Sequence, residues 1–424
     1  MLTREENAML TQTGPGTPMG ALFRRFWMPV MIATELPGPD CDPKRIRVLS
    51  EDLIAFKDSS GRVGVVDAYC PHRGAPMFFA RNEEDGLRCV YHGWKFDVEG
   101  ACVDLPNAPE GETFKNKVTI TSYAAVEQGG IIWLYMGPKD KQPPLPGFRF
   151  MDLPDTNRYV WKIHIECNYF QSLEGDLDAS HGNFLHSILG DNTRNQSVAI
   201  RRTDPGSLVD KTPRYAHLEE TPYGTMSVTT ANRPDGELFM SVSHWMMPSF
   251  TTAGADLKVG QNNMRVPIDD KSCMFWRVRF NVNAPLEERE LWQYKHGGWL
   301  YPQLIPGTYT GVENVHYDYM IDRVAQRNYS YTGIKAFSTQ DTALIEDQRG
   351  PIMDRSVERL VSSDEDIIQV RRRILRAARD LMEGKEPPEA QRPDGFGVRI
   401  ARFTVPKATD VASFIKGQLA AVGR

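Results

Sequence analysis

The rhythm of apolar and polar residues changes several times along the chain. Thr3-Arg-Glu-Glu6 carries the capping pattern in which a Thr and a Glu three residues on satisfy each other's backbone, so a short helix is predicted there. Gly14, Pro15, Gly16, Pro18 and Gly20 break it, and Phe23, Phe26, Trp27, Pro29 and Val30 then form an apolar cluster. Residues 1–40 therefore read as an N-terminal segment that packs on the next domain. From 41 to 150 the apolar runs are short and β-rich (45–49, 53–56 and 63–66), with turn residues such as Asp58-Ser-Ser-Gly61 between them. Ile131–Tyr135 reads as a buried strand, and Pro143, Pro144, Pro146 and Gly147 as a linker. The texture changes after 151. Residues 159–165 alternate like a strand, 167–189 read as helical, and 226–230, 239–243 and 273–280 read as strands. Helices are predicted over 339–360 and 364–383. In the second, Ile367, Ile368, Val370, Ile374, Leu375 and Leu381 form an apolar stripe, with Arg371, Arg372 and Arg373 on a solvated face. The pattern predicts an α+β chain: an all-β domain at 41–150, then a domain at 151–424 with an antiparallel sheet and helices against it.

Bulk properties narrow the function classes. The 424 residues have room for two or three domains. A net charge of −5 offers no basic field for nucleic acid. No apolar run approaches the ~20 residues of a membrane span, and the start lacks the order of a signal peptide, so a cytoplasmic protein is expected. Six cysteines in a chain of this length do not form a disulfide framework. Cys41, Cys102, Cys167 and Cys273 are scattered and read as reduced side chains.

The other two cysteines belong to the strongest motif. Cys70-Pro-His72 and Cys89-Val-Tyr-His92 lie sixteen residues apart, and each offers one thiolate and one imidazole. Two Cys and two His suit a [2Fe-2S] cluster with one iron on sulfur and the other on nitrogen. A structural zinc site is the alternative, but zinc fingers usually pair like with like. The stretch Glu174-Gly-Asp-Leu-Asp178-Ala-Ser-His181-Gly-Asn-Phe-Leu-His186 is the second. His181 and His186 suit a first-row metal. Two His and one carboxylate on one face of Fe(II) leave positions open for dioxygen. Asp341 is the expected carboxylate, with Glu346 and Asp347 as rivals. A zinc hydrolase built on the same three residues is a further reading.

Together these motifs resemble the Rieske non-haem iron oxygenases, large subunit, in their phthalate 4,5-dioxygenase-like branch. Glu174, Asp178, His181 and His186 resemble that family's acidic–His–His motif, and Asp341 with Glu346 its C-terminal ligand segment. The resemblance implies a helix-grip catalytic domain after the Rieske domain. It implies a Rieske [2Fe-2S] cluster on Cys70, His72, Cys89 and His92, and a mononuclear Fe(II) on His181, His186 and Asp341. It implies a homotrimer, in which the carboxylate of Asp178 bridges His181 to His92 of the neighbouring subunit. The reaction implied is hydroxylation of an aromatic carboxylic acid by O2; O-demethylation of a methoxylated lignin-derived acid is the alternative. A Rieske electron carrier would need only one small domain. The chain has no dinucleotide-binding pattern, so electrons are expected from a separate NAD(P)H-dependent reductase, docked through residues such as Arg73 and Lys95. Ile188, Leu189, Phe250, Trp276, Trp292 and Trp299 are candidates for an aromatic wall. Arg201, Arg202, Arg265, Arg277 and His244 are candidates for holding a carboxylate.

Overall fold

A computed structural model describes residues 2–109, 113–190, 193–197, 213–233, 235–253 and 259–422. Helices α1 (Arg4–Thr11) and α2 (Pro18–Phe23) open the chain, and the capping pair forms: Glu6 N–H donates to Thr3 Oγ1, and Thr3 N–H to the Glu6 carboxylate, both at 3.1 Å. The apolar cluster then does more than pack. Met28–Ile32 is strand β1, antiparallel to the strand at Ile131–Tyr135. Next come β2 (Lys44–Val48), β3 (Glu51–Lys57), β4 (Val63–Asp67), β5 (Arg81–Glu83), β6 (Gly86–Arg88), β7 (Lys95–Phe96), β8 (Cys102–Asp104), β9 (Ser122–Gln128) and β10 (Ile131–Tyr135). They form a six-stranded sheet, ordered β1-β10-β9-β4-β3-β2, and a four-stranded sheet of β5 to β8. All five residues of β10 are buried, as its unbroken apolar run requires of a central strand.

The second half is built on β11 (Arg158–Ile165), α3 (Tyr169–Leu177) and α4 (Gly182–Leu185), followed by the hairpin of β12 (Ser187–Gly190) and β13 (Thr193–Ser197). Strands β14 (Arg214–Thr221), β15 (Gly224–Asn232), β16 (Glu237–Met246), β17 (Phe250–Ala253), β18 (Gly260–Asp269) and β19 (Ser272–Phe280) come next. With β11 they make an antiparallel sheet ordered β11-β19-β18-β17-β16-β15-β14. Helices α5 (Glu288–His296), α6 (Phe337–Glu346) and α7 (Glu365–Met382) follow, then β20 (Ala401–Pro406), which pairs with β16, and α8 (Val411–Val422). The fold is the α+β arrangement expected. No helix among the described residues is long and apolar enough to cross a membrane.

Two helical expectations need correction. The helix predicted over 167–189 is α3 and α4 separated by a break, because Asp178 leaves the helical region (φ −78°, ψ 107°) and its side chain takes over the backbone donors that follow. The helix predicted over 339–360 starts earlier and stops at Glu346. Arg349 and Gly350 lie in the left-handed region, and Pro351 cannot continue a helix.

The stripe on α7 packs inward, with Ile367, Val370, Ile374, Leu375 and Leu381 buried, each contributing on the order of 1.5–3 kcal/mol. Arg371 does not sit on a solvated face. It is 3% exposed, and its Nε donates to Glu174 Oε1 at 2.6 Å. Glu174 also takes Arg355, whose Nη2 lies 2.7 Å from Oε2, while Arg371 reaches Glu358 as well. Burial alone would raise the Glu174 carboxyl, but the two guanidinium groups overcome it and hold it below its usual range. Arg355 Nη1 donates to Asn7 Oδ1, which ties α1 into the same cluster. Glu174→Gln leaves buried Arg355 without its counter-charge and Arg371 with Glu358 alone. It is expected to lower stability by roughly 3–5 kcal/mol, read as a fall in the urea midpoint.

Asp366, in the first turn of α7, is 4% exposed, and its Oδ1 has no hydrogen-bond partner among the described residues. Burial pushes its carboxyl up to about 6, against a smaller opposing effect of Ser227. Unfolded Asp titrates near ~3.9, so the folded state holds the proton more tightly, and ionisation costs stability as pH rises from about 4 to 6. Asp366→Asn removes that cost. It is expected to leave stability at pH 4 almost unchanged and to raise it by roughly 3 kcal/mol at pH 8, measured by denaturant unfolding at both.

Candidate metal centres

The first Cys/His loop follows β4, and the second joins β6 to β7. The two are closed alike. Cys70 N–H donates to Ala75 O and Gly74 N–H to Cys70 O; Cys89 N–H donates to Trp94 O and Gly93 N–H to Cys89 O, all at 2.8–2.9 Å. Gly74 (φ +69°) and Gly93 (φ +81°) occupy the left-handed position each turn demands, and a Cβ on Gly93 would meet Pro106 at 2.5 Å. A glycine four residues after each Cys was a signal available in the sequence. The loops bring together two buried thiols without a disulfide and two imidazoles, with the His72 and His92 ring centroids 4.5 Å apart. His72 stacks on Trp94 at 4.2 Å, and its Nδ1 is buried with no hydrogen-bond partner among the described residues. Burial pushes the Cys70 thiol up to about 11, with Cys89 beside it adding to the shift. Two buried thiols and an orphaned ring nitrogen on these adjoining loops fit, as a donor set, a metal cluster bound by sulfur and nitrogen. Of the docking candidates, Arg73 is exposed, but Lys95 is not: its ammonium is held by the carbonyl and carboxylate of Glu84.

The second group forms where α3 ends. Asp178 Oδ1 accepts from Ser180 N–H and Oγ–H, both at 2.7 Å, and this turn leads into α4. That single turn swings His181 and His186 toward each other. His181 Nδ1–H donates to the Asp178 carbonyl at 2.9 Å, and His186 Nδ1–H to Gln340 Oε1 at 2.8 Å. Both rings therefore aim Nε2 inward, and Asp341 Oδ1 lies 3.3 Å from one and 3.1 Å from the other. The three donors lie within 4.8 Å of one another, a set that could hold a metal ion. Helix α6 supplies more than Asp341. Phe337, Gln340 and Asp341 follow the i, i+3, i+4 spacing of one face, and Phe337 stacks on His186 at 3.6 Å. Gln340 Nε2 donates to Ile334 O, so its Oε1 is the atom turned to His186. Neither Phe337 nor Gln340 was singled out from sequence.

Electrostatics matches the geometry. Burial lowers the His181 imidazole, but Asp341 and Asp178 outweigh it and raise it to about 9. Asp341 is held well below the carboxylate range: burial would raise it, and the two imidazoles overcome that. The proton favoured on His181 occupies the place of a metal's charge, and a bound ion would displace it. The rival Glu346 is engaged elsewhere, accepting from Glu166 N–H and Tyr319 O–H, both at 2.6 Å, and Asp347 follows the end of α6. Asp178 Oδ2 stands 3.8 Å from His181 Nδ1, beyond hydrogen-bond length.

The aromatic-wall candidates scatter. Phe250 and Trp276 are buried on the sheet face away from α3, and Trp292 is 58% exposed. His244 is buried against Tyr223, and burial pushes it down to about 4. Arg201, Arg202 and the side chains of Ile188 and Leu189 lie outside the described residues.

Comparison with known proteins identifies the family. Residues 26–123 match the Rieske [2Fe-2S] domain, and residues 134–414 match the LigXa C-terminal domain like family. The chain is 33% identical to the 3-chlorobenzoate-3,4-dioxygenase oxygenase subunit of Comamonas testosteroni, over 97% of each protein. It is 36% identical to the phthalate 4,5-dioxygenase oxygenase subunit of Pseudomonas putida, over 91% of this chain and 88% of that one. The chain belongs to the Rieske non-haem iron oxygenases. It falls in their phthalate 4,5-dioxygenase-like branch, as a large subunit. This oxygenase shares its fold with the oxygenase in a ferredoxin complex of carbazole 1,9a-dioxygenase: TM-score 0.57, 17% identity, covering 84% of this chain and 91% of the other. Dicamba monooxygenase bound to dicamba shows the same fold, with TM-score 0.57, 16% identity, and coverage of 85% and 99%. The oxygenase therefore carries a Rieske [2Fe-2S] cluster and, in its catalytic domain, a mononuclear iron.

Gln340→Leu removes the acceptor that orients His186 while keeping the bulk of the side chain. It is expected to weaken divalent-ion binding about 10- to 100-fold, measured by cobalt titration of the apoprotein, with the fold unchanged by circular dichroism.

Proposed function

We propose that this oxygenase hydroxylates an aromatic carboxylic acid of phthalate or chlorobenzoate type with O2. A mononuclear Fe(II) held by His181, His186 and Asp341 would be the reaction site. Electrons would come from a separate NAD(P)H-dependent reductase through a [2Fe-2S] cluster held by Cys70, His72, Cys89 and His92. The observation that carries this reading is the convergence of two Nε2 atoms and one carboxylate oxygen in a chain whose relatives are named for aromatic acids. When bound, the cluster supplies single electrons and the ferrous ion the open positions at which O2 reacts. The protein's residues do the remaining work. The Asp178 carbonyl and Gln340 amide fix the two imidazoles with Nε2 inward. Phe337 covers one face of His186 and keeps water from it.

The subunits are proposed to form a head-to-tail homotrimer. Tyr69, Val90 and Tyr91 expose apolar surface at the Cys/His loops; Tyr317, Met320, Tyr329 and Leu344 do so on the catalytic domain. Two unlike patches of this kind suit a heterologous contact that closes a ring. Asp178 Oδ2, clear of its own turn, is the group available to bridge His181 to His92 of the adjacent copy.

The purified chain, supplied with NADH and a surrogate reductase, tests the reaction. Phthalates, chlorobenzoates, phenoxybenzoate and methoxylated aromatic acids would be screened for oxygenated product. Formaldehyde release would assign O-demethylation instead, the activity named for a relative in Sphingobium sp. (strain NBRC 103272 / SYK-6), the 5,5'-dehydrodivanillate O-demethylase oxygenase subunit, 30% identical over 91% of this chain and 83% of that one. Asp178→Asn is expected to keep about three irons per chain and the cluster's absorption while turnover falls at least tenfold. Loss of the third iron would make Asp178 a ligand.

A further inference from the structure

We propose that Arg277 is the residue that holds the anionic group of the substrate. The proposal rests on the aromatic-acid reading above and deepens it.

Directly paired residues of an antiparallel sheet share a face. Trp161, Arg277, Asn263 and Thr251 pair in succession across β11, β19, β18 and β17. Their face is the one toward α3, because Asp176 of α3 accepts from Thr251 Oγ1, Asn263 Nδ2 and Arg265 Nη1 at 2.5–2.8 Å. Arg265, Arg277 and Arg279 all project from this face, with different partners. Arg265 is neutralised by Asp176, and Arg279 by Glu290 at 2.6 Å. Among the described residues, no carboxylate lies within ion-pair distance of Arg277. Its Nε donates to Asn263 Oδ1 at 3.1 Å, and it contacts the Tyr301 hydroxyl and the ring faces of Tyr301 (4.8 Å), Phe275 (5.0 Å) and Trp161 (6.0 Å); the acidic group that acts on it, Asp176, does so from beyond ion-pair distance and is already paired with Arg265.

Those neighbours are almost fully buried, yet Arg277 keeps accessible surface. A cation walled by aromatic rings, whose nearest carboxylate is already claimed by another arginine, is costly in a folded protein. The cost makes sense where a ligand brings the missing charge. A planar guanidinium held at Nε leaves its two terminal nitrogens to grip a carboxylate bidentately, and the rings beside it suit an aromatic body.

The position connects to both elements that carry the metal donors. Asn263, which holds Arg277, is bonded to Asp176 near the end of α3, five residues before His181. Tyr301, on which the guanidinium lies, follows Trp299 and Leu300. Their carbonyls accept from Phe337 and Ser338 N–H at the start of α6, one turn before Asp341. Arg277 is thus braced from the same two helices that bring His181 and Asp341 together.

The test uses the metal-loaded enzyme and two variants, Arg277→Met and Arg277→Lys. Binding of 3-chlorobenzoate and phthalate is measured by calorimetry without oxygen. KM is measured for whichever acid is turned over, and for its neutral amide. Arg277→Met is expected to weaken acid binding roughly 10- to 100-fold and to abolish the preference for acid over amide. Arg277→Lys is expected to recover part of that loss, and the melting temperature of Arg277→Met to stay level or rise. Acid affinity of Arg277→Met within about threefold of wild type would overturn the proposal, as would a fall in melting temperature with acid preference intact. If Arg277→Met does not fold, full acid affinity in Arg277→Lys would overturn it too. Wild-type enzyme that binds and converts no aromatic acid would instead sink the functional reading, and Arg277 with it.

Discussion

The structure depends on a buried carboxylate. Glu174 sits inside the protein between Arg355 and Arg371, and those two draw in Glu358 and Asn7. Helix α3, the turn at 353–358, helix α7 and helix α1 therefore meet around one set of buried charges. Each partner is satisfied only at one register of helix against helix. Sliding α3 by a turn would strand charge in the interior, so the alternative packings are removed. His181 and His186 can face each other because the helix before them has nowhere else to go.

The two metal centres are held by different means. At the Cys/His loops the backbone does the positioning, through two matching turns, each closed by a pair of hydrogen bonds and a left-handed glycine. At the second centre side chains on distant elements do it. Helix α6 approaches from more than 150 positions away with a stacking ring, an amide and a carboxylate on one face, and each meets a feature of the His181–His186 turn. A local device suits a site that must present itself at a surface. A device assembled from several elements suits one enclosed by the fold.

This difference explains what the sequence could show. Cys70, His72, Cys89 and His92 are legible because local turns need local spacing. His181 and His186 are nearly so, since one short helical turn joins them. Asp341 was reachable by its place near the start of an amphipathic stretch. Gln340 was not, because an amide beside a carboxylate carries no signal until the imidazole it meets is known. Arg371 misled for a related reason. Among three consecutive arginines, periodicity assigned all three to water, but Glu174, 197 positions earlier, and Glu358 draw Arg371 inward, and the buried Glu389 holds Arg373 partly covered. Helix ends failed likewise: Asp178 ended α3 through its own side chain, and a left-handed Arg349 helped keep α6 short.

The path of the backbone has a consequence for recombining such enzymes. Helix α1 lies inside the second half of the molecule. Leu10 and Thr11 accept hydrogen bonds from Tyr169 and Asn168, and Asn7 meets Arg355, before β1 crosses to pair with β10. The electron-entry half is thus an insertion between two parts of the half that performs oxidation. A chimera cut once, after the proline-rich stretch near 143, would import a foreign first helix into the recipient's buried charges. A graft cut twice, at the segment joining α2 to β1 and again near 143, would leave that interior in the hands of its own sequence.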